Sequence, residues 1–179
     1  MIYDSLLKRR SIRKFKKECP SKETVNRLLR AALLSPSSRN IRPWHFVVVD
    51  DAETISALSK AKPHGAAFLN HAPLAVVVSA DTTQSDVWVE DTSIASTVLL
   101  LMAEALGLGA CWCQIRKRPH TESQSADSYV KGIIGLPESF SVESIIGLGV
   151  ADEHIPPYDE TKLLVEKVSH NQFGRDFTF

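Results

Sequence analysis

Residues 87–115, VWVEDTSIASTVLLLMAEALGLGACWCQI, decide the fold. From Ile94 onward, Val98, Leu99, Leu101, Met102, Ala105 and Leu106 leave a helix of about Val87 to Leu106 with almost no polar face, so it must be covered nearly all round. Gly107 suits the left-handed position just past a helix C-terminus, and Ala110 to Ile115 then reads as a strand. In a chain of 179 residues a partner subunit is one way to supply the missing cover. Two other readings fail on the same stretch. The glycines at 107 and 109 follow a helix and precede a strand, the reverse of a dinucleotide-binding turn, and the third glycine is missing. The apolar run Ile94 to Leu108 is interrupted by Ser96, Thr97 and Glu104 and is too short to span a bilayer.

Working outward, a short helix is expected from about Tyr3 to Arg9, followed by a basic loop. Ser21 is a candidate N-cap for a helix whose Val25, Leu28, Leu29 and Ala32 share one face. Turn formers make residues 35–40, Ser-Pro-Ser-Ser-Arg-Asn, a loop. His45 to Asp50 reads as a buried strand, and Asp51 as the cap of a helix reaching about Lys60. Leu74 to Ser79 and Val142 to Val150 read as further strands and Glu122 to Ile133 as a helix, with one turn near Val165 to Ser169 in the tail. Strands and helices alternate, but the strand runs are few, so a helix-flanked mixed sheet fits better than a doubly wound parallel one. No repeat or linker divides the chain, so residues 1–179 are expected to form one domain, long enough to bury about 70% of its unfolded surface without disulfides or structural metal.

Composition narrows function by exclusion. The 21 basic and 21 acidic residues cancel, which argues against a general affinity for nucleic acid or an anionic membrane, although a local basic patch can still bind an anion. Only Phe15 is interleaved with the N-terminal charges, too few aromatics for a nucleic-acid surface. The opening MIYDSLLKRR has no basic segment leading into an apolar one, so no secretory signal is expected. The three cysteines read as reduced thiols of a cytoplasmic protein. Cys111 and Cys113 share a strand face but two thiols make no zinc site, and the six histidines are scattered, so no metal is expected.

Three segments can carry chemistry. Arg9, Arg10, Ser11 and Arg13 place guanidinium forks and a hydroxyl at the end of a short helix, and guanidinium groups bind phosphate bidentately. Ser37, Ser38 and Asn40, in the run from Pro36 to Trp44, offer small polar groups to the rim of a planar heterocycle. Gln114 and Ile115 end a strand where backbone amides can meet a ligand. No nucleophile elbow, H-E-x-x-H run or obvious carboxylate pair is present, so no catalytic side chain is assigned.

Taken in series, KRRSIRKF, SPSSRNIRPWHFVVV, ALGLGACW, DTSIASTVLLLMAEALGLG, LPESFSVESIIGLGVADEHIPP and VEKVSHNQF resemble the FMN-dependent nitroreductases over residues 2 to 173. The resemblance implies an α+β nitroreductase-like fold, mainly antiparallel, in an intertwined homodimer with FMN at the subunit interface. It implies that Arg9, Arg10, Ser11 and Arg13 hold the FMN phosphate and ribityl chain. Pro36, Ser37, Ser38 and Asn40 would edge the isoalloxazine from the other subunit, and the amides of Gln114 and Ile115 would approach its redox-active nitrogen. Lys162 falls near a C-terminal basic position of the phosphate site, with Lys62 or His64 as a further flavin contact. Phe173, Phe177 and Phe179 are expected to anchor the tail on the partner. Trp88, Asp91 and Trp112 are candidates for shaping an acceptor pocket or, equally, for packing and capping roles. The activity implied is ping-pong hydride transfer from NADH or NADPH to small electron-poor acceptors such as nitroaromatics or quinones. Alternatives are a non-catalytic FMN store or sensor and a specialised relative such as a reductive dehalogenase.

Overall fold

The computed structural model describes residues 2–178. Its sheet has four strands, β1 (Trp44–Val49), β2 (Leu74–Asp81), β3 (Gly109–Gln114) and β4 (Phe140–Gly149), in the order β1-β2-β4-β3. All three ladders are antiparallel, and a parallel bridge between Ser11 and Ala110 adds the mixed element. Five helices surround it: α1 (Ile2–Lys8), α2 (Lys22–Leu33), α3 (Ala52–Leu58), α4 (Trp88–Ala105) and α5 (Ala126–Ile134). The helix-flanked α+β architecture expected from sequence is therefore the one observed.

The central strands are apolar on both faces because helices cover both. On one side Val77, Ile145, Cys113 and Ile115 pack with Leu58 of α3 and Val130 of α5. On the other, Val76, Val78, Ile146 and Leu148 pack with Leu28 of α2 and Leu99 of α4. Each such side chain contributes about 1.5–3 kcal/mol when fully buried. β1 differs from the buried strand expected: it is an edge, and His45 and Val48 face outward while Trp44 and Val49 are buried.

Local signals set the boundaries. Ser21 Oγ caps α2 through Thr24 N at 3.2 Å, and Asp51 Oδ2 caps α3 through Thr54 N at 2.8 Å. α4 ends in a Schellman motif: Gly107 N donates to Glu104 O at 3.0 Å and Leu108 N to Ala103 O at 2.9 Å, with Gly107 at φ 74°. α5 begins four residues later than expected, because residues 120–124 close a turn and Ser125 Oγ caps Ser128 N at 3.0 Å.

α4 is less enclosed than a core helix. Leu99 and Ala103 enter the core, but Val98, Leu101, Met102 and Ala105 form an apolar groove of ≈ 270 Å³ with Ile2 and Ala31. The segment after Gly149 is exposed along most of its length, and Phe173 shows no burial at all. Tyr158 N donates to Leu7 O at 2.8 Å, laying the start of this tail along α1. Phe177 stacks edge-on with His170, and Phe179, expected as a third anchor, lies outside the described residues.

Candidate functional site

β3 organises the site. Its inner side is taken by β4, and the amide of Ile115 continues that side by donating to Glu143 O at 3.0 Å. Backbone groups alternate sides along a strand, so those of Ala110, Trp112 and Gln114 point outward. At the head of this outer edge Ile12 N donates to Ala110 O at 3.0 Å. At its far end Lys62 Nζ donates to Gln114 O at 2.8 Å. The two ends are about 13 Å apart at strand rise.

The N-terminal motif resolves into two groups. Arg9, Ser11 and Arg13 gather around Cys111: burial raises its thiol pKa, while Arg13, a hydrogen bond with Ser11, and Arg9 oppose the rise. Arg13 Nη1 makes a 3.3 Å bond to Ser11 O. Arg10 turns instead to the tail, donating to Pro156 O with its guanidinium carbon 4.6 Å from the Tyr158 ring centroid. Glu153, unnoticed in the sequence, accepts the backbone amides of Arg13 and Lys14, which hold its carboxyl below the ordinary pKa. That turn therefore binds an anion supplied by the chain itself, which leaves the Arg13 guanidinium and that of Arg9, whose Nη2 also donates to the Tyr158 hydroxyl at 3.3 Å, for another.

Gly109 allows the motif to lie on β3. A Cβ there would sit 2.7 Å from Ile12 Cγ2. A glycine chosen by the helix-to-strand turn thus also sets how closely Ser11 and Arg13 approach.

The loop from Pro36 to Asn40 is held at the opposite end of α4. Ser38 N donates to Asp91 Oδ1 at 2.8 Å, and Ser85 Oγ to Asp91 Oδ2 at 3.3 Å. Arg42 N donates to Ser37 Oγ at 2.9 Å, and Arg42 Nε to Asn40 Oδ1 at 2.8 Å. Arg39, Asn40 and Arg42 all take left-handed backbone, at φ 52°, 57° and 56°, a conformation that costs energy outside glycine and collects at functional sites. At the root of the loop, Ser35 Oγ is buried without a hydrogen-bond partner among the described residues. Asp91 thus acts by fastening this loop, and from Asp91 to the head of β3 is about 22 Å at helical rise.

Three of the expected residues are not brought to the site within one chain. The Ile115 amide is committed to Glu143 O, so of the pair expected to face a ring only that of Gln114 points outward. Lys162 does not join the arginines in this chain; its ammonium is 3.6 Å from Asp159 and its side chain is 81% exposed. Arg10 is engaged by the tail, at Pro156 O and over the Tyr158 ring, whose hydroxyl Arg9 also reaches.

Beside the Gln114 end lies a cleft of ≈ 430 Å³ lined by Lys62, His64, Trp112, Gln114 and Arg118, with Pro63 and Pro119 as further walls. Trp112 is 40% exposed there. Trp88 lies outside it, under the guanidinium of Arg116 at 5.7 Å.

Behind Trp112 sits Glu143, which sequence reading passed over. It is the extra residue of a bulge, since Val78 pairs with Ser144 and Ser79 with Val142. Burial pushes its carboxyl pKa up; hydrogen bonds from Ser144, Trp112 and Ser96, and the charge of Arg116, pull the other way. The visible signal was one acid inside the otherwise apolar and small run of Val142 to Val150. Among the described residues no helix is long and apolar enough to cross a membrane, and no group of three potential ligands could hold a metal ion.

Comparison with known proteins gives this arrangement its context. The profile of the Nitroreductase family matches two overlapping segments, residues 6–64 and 56–150. A protein of Archaeoglobus fulgidus, provisionally named NADH dehydrogenase/NAD(P)H nitroreductase, is 39% identical over 153 residues, covering 83% of this chain and 82% of its own. A solved structure of an FMN-dependent nitroreductase from Clostridium difficile R20291 superposes with a TM-score of 0.93 at 45% identity, covering 94% of this chain and 98% of that one. The chain belongs to the Nitroreductase family.

Proposed function

We propose that residues 1–179 act as one domain of an FMN-dependent NAD(P)H oxidoreductase, a homodimer that reduces nitroaromatics, quinones or similar electron-poor small molecules by a ping-pong cycle. The observation that carries this is the furnishing of β3: Arg9, Ser11 and Arg13 at its head, Lys62 and the outward Gln114 amide at its far end. An elongated ligand with a phosphate at one end and a planar ring at the other matches that order.

When bound, FMN would supply the hydride chemistry, taking hydride from NAD(P)H and passing reducing equivalents to the acceptor. The chain's residues do the rest. Arg9 and Arg13 neutralise the phosphate, each charge-assisted bond contributing about 1.5–3 kcal/mol. The Lys62 ammonium, fixed by Gln114 O, would hold positive charge at the ring end of the site and favour an electron-rich ligand there. Trp112 and the prolines keep the cleft partly apolar without closing it, so donor and acceptor can use one opening in turn.

Two features support a site built from two chains. The Pro36–Asn40 loop and the arginine group sit at opposite ends of α4, so one flavin can more readily take the arginines from one protomer and the loop from the other. The apolar groove on α4 and the exposed tail are each other's complement in character, and a second copy would cover both. The same two-chain arrangement would bring Lys162 to the phosphate of the partner's site. The expected placement is cytoplasmic, with no nucleic-acid or membrane partner.

The test is spectroscopic. Purified protein should be yellow or take up FMN stoichiometrically, and NADH or NADPH should bleach it without oxygen. A colourless protein that refuses FMN would sink the proposal; a yellow one that NAD(P)H cannot bleach would be a flavin store or sensor.

A further inference from the structure

Lys62 and Arg118 rest on one neutral residue. Lys62 Nζ bonds to the Gln114 carbonyl at 2.8 Å, and Arg118 Nε and Nη2 bond to Gln114 Oε1 at 3.1 and 2.6 Å. Gln114 is itself oriented, since its Nε2 donates to Arg116 O at 3.1 Å. The backbone of Arg118 is tied on both sides, its N–H to Ile115 O at 3.1 Å and its carbonyl to Ala126 N at 2.8 Å. Arg118 is thus preorganised where a surface arginine would ordinarily sample many rotamers.

Its charge is not answered among the described residues, and none of their carboxylates lines the cleft. The ion pairs among the described residues, Arg39 with Asp86, Lys131 with Glu138 and Lys162 with Asp159, involve neither cation. A chain whose formal charges balance has therefore left two cations together on one wall. Lys62 is accounted for by the flavin ring in the site described above; Arg118 is not. Its two bonds to Gln114 use Nε and one Nη2 hydrogen, leaving a guanidinium fork available to a carboxylate. Trp112, on the same cleft, offers a partly exposed indole to a planar group.

We propose that Arg118, held by Gln114, and Trp112 form a subsite that selects planar aromatic acceptors bearing a carboxylate or similar anionic substituent. Arg118 is the specificity-determining residue and takes no part in hydride transfer. The subsite lies within the proposed reductase site and depends on that assignment for turnover, but not for binding.

The experiment compares 4-nitrobenzoate with 4-nitrobenzamide, which share ring and nitro group and differ in charge. Binding to the protein as purified is followed by quenching of tryptophan fluorescence, and reduction by NADH or NADPH consumption. The parent protein should favour 4-nitrobenzoate by about five- to tenfold in both affinity and kcat/KM, the size of one partly exposed charge-assisted contact. In Arg118→Gln the ratio should fall to about one, through KM more than kcat. Arg118→Lys should keep part of it, and Lys117→Gln, a neighbouring cation outside the cleft lining, should keep it whole. Absence of any preference in the parent overturns the subsite, as does an Arg118→Gln change that weakens both compounds equally. A binding preference that tracks Arg118 without any NAD(P)H consumption upholds the subsite and refutes the reductase.

Discussion

The amide of Ser38 donates to Asp91 Oδ1 at 2.8 Å across 53 positions of sequence, joining a strained surface loop to a buried side chain in the first turn of α4. Asp91 is 2% exposed, so its carboxylate has been taken out of water chiefly to hold that loop and Ser85. Asp91→Ala would leave both donors unanswered and cost about 2 kcal/mol, or ~4–8 °C in Tm for a chain of this size. Asp91→Asn keeps an acceptor and should recover at least half of the loss. Equal melting of the two variants would show that the carboxylate does not secure the loop.

Glu143 predicts an unusual pH dependence. Its pKa is raised in the folded state by burial, so between the ordinary carboxylate value and the raised one the folded protein holds a proton that the unfolded chain has released. Stability must therefore fall as pH rises through that window. Glu143→Gln removes the titration while keeping most hydrogen-bonding capacity. It should melt higher than the parent at pH 8, with the difference shrinking as pH approaches 4.5. Melting curves that run parallel from pH 8 to pH 4.5 would refute the assignment.

Gly109 links packing to ligand. Gly109→Ala puts a methyl 2.7 Å from Ile12 Cγ2 and 2.9 Å from its Cβ, an overlap that costs about 1–3 kcal/mol and pushes the neighbouring Ser11 and Arg13 off β3. FMN retention should weaken with it, and Ile12→Ala in the same chain should restore part of both stability and retention. Arg13→Ala alone should weaken FMN binding by roughly ten- to a hundredfold with little effect on Tm. Unchanged affinity in Arg13→Ala would remove that residue from the phosphate site.

The tail can be tested by removal. Deleting residues 163–179 takes away Leu163, Leu164, Val165, Val168, Phe173 and Phe177, none of which belongs to the core clusters. The protomer should stay folded, while the proposed dimer should dissociate roughly a hundredfold more readily in sedimentation. A truncated protein that sediments as tightly as the parent would show that the tail is not the clasp.

What was legible in the sequence was whatever local physics controls. The apolar excess of α4, its glycine stop, and the caps at Ser21 and Asp51 each depend on a few neighbouring residues. The antiparallel pairing was visible only as a class, because nothing local says that β4 lies between β2 and β3. His45 shows the same limit: an apolar strand pattern cannot tell an edge from a centre. The arginine motif was readable as an anion binder, but not that Tyr158, 148 positions beyond Arg10, engages both Arg9 and Arg10. Glu153 and Glu143 escaped for that reason too, since their partners at Arg13 and Ser96 are set by tertiary contacts and a bulge. Arg118 lies only four positions from Gln114, but the irregular turn that folds it back carries no periodic pattern to mark the contact.

The outer side of β3 has one more consequence. A strand whose middle amides face away from its sheet is a template for any extended peptide that drifts past. Ser11 blocks one end and the Lys62 charge guards the other, which leaves the stretch around Trp112 as the place where two molecules could stitch together. A flavin seated along this edge as proposed would also protect the protein from self-association, and its depletion should be felt first as loss of solubility.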